Sequence, residues 1–82
     1  MVYIIAILLY FGVADPHYTV YQGRTFSNLE NCLQYVEKHR PEMSHELWDT
    51  HRETWVEDQS HKLKSFRVMC TQDKPKPEWK EI

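Results

Sequence analysis

The chain has 82 residues, a net charge of −2 with histidine neutral, and acids and bases interspersed along it. That length makes one domain, marginal without help because a chain so short buries only about 60% of its unfolded surface. The charge balance lacks the concentrated basic face that nucleic acid requires, and three Trp, five Tyr and three Phe argue against a disordered chain.

Val2 to Phe11 is an uninterrupted run without a charge, the most apolar stretch present. It ends too soon at Asp15-Pro16 for a membrane span, which needs about 20 apolar residues. Small residues at Gly12 and Ala14 suit a secretion signal, but no Lys or Arg precedes Arg24, so the basic leader of a signal is missing. The β-branched and aromatic content favours the remaining reading, a strand buried on both faces. Gly12 to Pro16 carries turn chemistry, and His17 to Tyr21 is a second strand, antiparallel to the first across a short connection. Gln22-Gly23 marks a bulge or turn.

Ser27-Asn28-Leu29-Glu30 reads as a capping box opening a helix, with Leu29, Cys32, Leu33 and Val36 as its apolar stripe. Pro41 either ends that helix near His39-Arg40 or begins a second one, with Leu47, Trp48, His51 and Trp55 as its stripe. Residues 57–62 are polar and predict a loop. Leu63 to Thr71 is the third strand, with Phe66, Val68 and Cys70 alternating against Ser65, Arg67 and Met69. Alternating Lys and Pro then predict an extended tail over residues 73–82. The expectation is an α+β two-layer domain over residues 1–72: an antiparallel three-stranded sheet, ordered β-β-α-(α)-β, with one or two helices on one face.

Cys32 lies on the apolar stripe of the helix and Cys70 on the apolar face of the last strand. Both point into the helix–sheet layer and come within bridging reach, with Cα atoms about 4.4–6.8 Å apart if bonded. Whether they form a disulfide or remain two buried thiols depends on the redox compartment. Five histidines, His17, His39, His45, His51 and His61, invite a metal reading. His45-Glu46-Leu47-Trp48-Asp49 matches the zinc-protease helix motif except at its last position, where Asp49 stands in place of the second His. The expectation is no metal and no cofactor. No nucleophile–base order and no glycine-rich phosphate loop is readable, and the chain reads as a non-enzyme.

Strand one is apolar on both faces, whereas helices cover only one. Its back face is expected to be covered by the tail and insert or by another subunit, with Tyr3, Tyr10, Trp48, His51, Trp55 and Trp79 as candidate partner-binding residues.

Thr25-Phe26-Ser27-Asn28-Leu29-Glu30-Asn31-Cys32, followed by Phe66-Arg67-Val68-Met69-Cys70, resembles a pattern in small orphan proteins of bacteriophages and marine bacteria. Those share an apolar first strand, a "T-F-x-S-L-E-x-C" helix entry and an "F-x-V-x-C" last strand. The resemblance implies a phage-type origin and the pairing of Cys32 with Cys70, and it carries over no active site. The resulting expectation is a non-enzymatic protein-binding module, a phage-encoded modulator or inhibitor of a host protein. Its partners are a protein of the host cell, a second copy, or both, and it acts in the host cytoplasm without nucleic acid or a membrane span. The alternatives are a small metal-binding or enzymatic domain using residues 42–61, and an exported disulfide-stabilised protein.

Overall fold

The structure, a computed structural model, describes residues 1–81; the side chains of Gln22 and Glu81 lie outside the description, as does Ile82 at the end of the expected tail. The chain forms β1 (Val2–Tyr10), β2 (His17–Phe26), α1 (Leu29–His51), β3 (Glu53–Val56), β4 (Gln59–Thr71) and β5 (Lys80–Glu81). The strands are ordered β3-β4-β1-β2-β5, so the apolar first run becomes the central strand. The α+β expectation holds, with five strands rather than three, and of the one or two helices expected the structure has one.

Strand β1 pairs antiparallel with both β2 and β4. Val2, Ile4, Ala6, Leu8 and Tyr10 alternate onto the helix-facing side, each no more than 5% exposed. The β1–β2 pairing jumps between Tyr3↔Thr25 and Ile5↔Val20, so residues 21–24 bulge where Gln22-Gly23 predicts it. Gly23 takes a φ of +77° there, which glycine adopts without steric cost. Gly12, at φ +80°, turns the chain out of β1. A Cβ at Gly12 would meet the His61 Nδ1 at 2.9 Å, so the ring of His61 packs directly against the turn it holds through the Phe11 carbonyl.

Helix α1 is capped one residue later than the capping box predicts. Asn28, in extended conformation, accepts from the Asn31 amide at 2.8 Å. The helix runs through Pro41 without a break. Pro41 and Glu37 are both exposed, so the Glu37 carbonyl that loses its donor turns to water. The buried stripe is Cys32, Val36, Met43 and Leu47. Leu29 and Leu33 are instead 41% and 51% exposed, a correction to the expected stripe. One long helix must stay in contact with a twisted sheet over its whole length, and that contact line selects Met43 and Leu47 and turns the two leucines outward.

The predicted second helix stops at His51, and the predicted 57–62 loop is a hairpin. Glu57 and Asp58, at φ of +54° and +61°, make a tight turn between β3 and the first residues of β4. Those strand residues are polar because the hairpin stands out from the core, with most of its side chains exposed. After β4, the Lys-Pro segment reaches β5, which pairs parallel with the outer side of β2. To get there from β4 it crosses β1 and β2. Trp79 stacks on Tyr18, ring centroids 5.2 Å apart, and Tyr18 shares the back face with Ile7. Ile5 and Val20, also on the back face, are 5% and 4% exposed. The back face is thus partly covered by the chain's own tail, while Leu9 and Phe11 beyond it stay exposed.

Candidate functional site

Cys32 and Cys70 form a disulfide, with an S–S distance of 2.06 Å and Cα atoms 6.2 Å apart. It ties the first turns of α1 to the far end of β4, and Cys32 has no exposed surface. Cys70, at the β4 end of the bond, is only half-buried.

The candidate partner-binding residues are dispersed. Tyr10 is a core residue, 5% exposed, its ring edge-on to His17 at 5.1 Å, so it is no surface anchor. Burial also raises its phenol pKa. Tyr3 is half-buried near the opposite end of β1, flanked by Thr25 and Thr71. Trp79 is taken up by Tyr18. His51 is half-buried in a polar cavity of about 200 Å³ with His17, Thr50, Glu53 and Lys80 among its walls. Its Nε2 is buried with no hydrogen-bond partner among the described residues. Burial lowers its pKa first, and Lys80 adds to the effect, while Glu46 opposes it.

Trp48 and Trp55 remain exposed, 49% and 69%. Trp48 lines a cleft of about 470 Å³ with Phe11, Arg52, Glu53, Lys62 and Leu63. Three elements build it. The last turns of α1 present Trp48, the residue after β1 presents Phe11, and the base of the β3–β4 hairpin presents Glu53 and Lys62 as a cross-strand pair. The hinge is fixed by backbone bonds: Phe11 N–H donates to Lys62 at 2.9 Å, and Leu63 N–H to Arg52, the helix C-cap, at 2.7 Å. The pairing of β4 with β1 shifts register between Leu9↔Ser65 and Tyr10↔Leu63, and the extra residue, Lys64, holds its ammonium 6.0 Å from the Phe11 ring centroid. Glu53 accepts from the Ser60 hydroxyl, so its carboxylate is already engaged. The cleft walls thus carry two cations, Arg52 and Lys62, to one engaged carboxylate, with Lys64 beside Phe11, in a chain whose net charge is negative.

Phe11, Arg52, Lys62 and Lys64 are the residues sequence reasoning missed. The alternation of β1 places Phe11 on its back face, but only the hairpin brings the three cations to it. The HExxD-like segment does no more than pair His45 with Asp49 at 3.1 Å on the exposed helix surface. Among the described residues, no group of three or more His, Cys, Asp or Glu side chains is placed to hold a metal ion. No helix among them is long and apolar enough to cross a membrane. Comparison with protein-family models, curated proteins and solved structures found no match.

Proposed function

We propose that the protein is a non-enzymatic protein-binding module that takes a segment of another polypeptide into the cleft between Phe11 and Trp48. The observation that carries this reading is the exposure of two large aromatic side chains across a preformed cleft, with Trp55 on the adjoining hairpin. Elsewhere the domain manages its aromatics: Tyr10 and Tyr21 are core residues and Trp79 lies on Tyr18. Rigid aromatic anchors ringed by long cations are the groups that dominate recognition energetics, because they bury large area at low entropic cost. The phage-type resemblance of the helix entry and last strand makes the partner a host-cell protein or a second copy of the chain.

Affinity capture from a lysate of the native host, with wild type and the Phe11→Ala/Trp48→Ala variant side by side, tests this. Both side chains are exposed, so the variant is expected to fold, which circular dichroism verifies. A polypeptide retained by wild type and lost by the variant is the expected result. Identical capture profiles, together with a wild type that does not self-associate, overturn the reading.

A further inference from the structure

Building on that reading of the cleft, we propose that its occupant is the tip of the β3–β4 hairpin from a second copy of this chain, exchanged reciprocally in a two-fold dimer. The tip carries Glu57 and Asp58, both exposed and both in a left-handed turn conformation. Two residues earlier stands Trp55, the most exposed of the chain's aromatic side chains described, at 69%. The hairpin therefore offers two carboxylates beside an indole. The cleft offers Arg52, Lys62 and Lys64 beside Phe11 and Trp48. Charge and shape class match, and both halves lie on the same molecule.

The placement of the two halves makes the exchange mutual. Arg52 immediately precedes β3, and Glu57-Asp58 immediately follows it. Two hairpins laid side by side in opposite directions bring each tip to the other's Arg52, which is the self-complementary geometry of a closed pair. Strand β3 is an edge of the sheet, so its outer N–H and C=O groups face no strand of the described chain. An antiparallel neighbour supplies partners for them. Trp55 of each copy then covers the aromatic wall of the other, and apolar surface that a small domain leaves in water is buried.

Sedimentation velocity across a concentration series reads the outcome on the full chain. Wild type is expected to pass from monomer to dimer as concentration rises, and less readily at high salt, which screens the pairs. Glu57→Lys/Asp58→Lys sets cations against cations, and Arg52→Glu/Lys64→Glu sets carboxylates against carboxylates. Each alone is expected to weaken self-association by more than about tenfold, since like charges brought together cost well over the free energy of one decade. Mixed in equal amounts, the two variants are expected to recover a heterodimer, because each tip then meets a cleft of opposite sign. Glu57→Asn/Asp58→Gly removes the charge while keeping residues that suit the turn. It is expected to weaken the dimer with the hairpin intact.

A wild type that stays monomeric at every concentration overturns the proposal. So does a dimer indifferent to the reversals, or a mixture that fails to recover. If wild type stays monomeric and the Phe11→Ala/Trp48→Ala variant still loses a captured host protein, this inference fails while the binding reading stands. If neither dimer nor variant-sensitive capture is found, both fail.

Discussion

At His51, a ring nitrogen is enclosed where protonation is penalised. Burial depresses its pKa below the ordinary 6.5, so the neutral imidazole is the form the fold accepts. The unfolded chain takes up the proton first as pH falls. Stability is therefore full above 6.5, declines as pH drops through that value toward the lower folded one, and levels off beneath it. The urea midpoint of wild type is expected to fall over that window, and His51→Leu is expected to flatten the decline. An identical slope in the variant assigns the effect elsewhere. Tyr21 shows the opposite case: burial, then the charge of Glu46, raises its phenol to about 12 against the pull of Arg24. Its hydroxyl also has no partner among the described residues. His51 lies in the last turn of α1, on the stripe the sequence assigns with Leu47, whereas Tyr21 lies at the β2 bulge, where strand alternation alone does not assign a face.

At the scale of the element, α1 shows how a correct helix comes with a misread face. Leu29, Leu33 and Val36 satisfy helical spacing as well as Val36, Met43 and Leu47 do, and Pro41 argues for treating the two halves separately. A single axis across the sheet decides between them. Leu47, with no exposed surface, loses both transfer energy and packing when truncated, so Leu47→Ala is expected to cost roughly 2–5 kcal/mol. Leu33, about half exposed, is expected to cost no more than about 0.5–1 kcal/mol on the same change. Paired denaturant curves check this, and equal losses place Leu33 in the core after all. The β3–β4 hairpin is the converse case. Its strands lack an apolar face of their own, and a turn built from Glu57-Asp58 is not the Asn-Gly pair that announces a tight hairpin.

For the whole molecule, the Cys32–Cys70 bond joins positions 38 residues apart, helix to sheet. Closing a loop of that length restricts the unfolded chain and stabilises the fold by about 4 kcal/mol in the loop-entropy account. For a domain of this size that is a large share of total stability. The Cys32→Ser/Cys70→Ser variant is expected to lose about that much in urea titrations run without reductant. A loss under about 1 kcal/mol shows that packing alone closes the helix–sheet layer. The tail contributes at the same scale, by carrying Trp79 onto Tyr18 on the sheet's back face and adding β5 to its edge.

Strand β1, the β1–β2 hairpin with its Gln22-Gly23 bulge, the start of the helix and the core alternation of Phe66, Val68 and Cys70 follow from the sequence alone. Each rests on a short-range pattern: an apolar run, a turn residue, a period of two. The meeting of Cys32 and Cys70 follows as well, since two independent periodicities aim both at one layer. Everything that depends on how elements cross was decided only in the tertiary structure. The helix's buried face, the fate of Tyr10 and the route of the tail over the sheet are of this kind. So is the cleft, where Phe11, Trp48, Arg52 and Lys62 come from three elements with no shared pattern along the chain. Local periodicity reports which face of one element is apolar, but a binding site exists only where several elements converge, and convergence is fixed by packing.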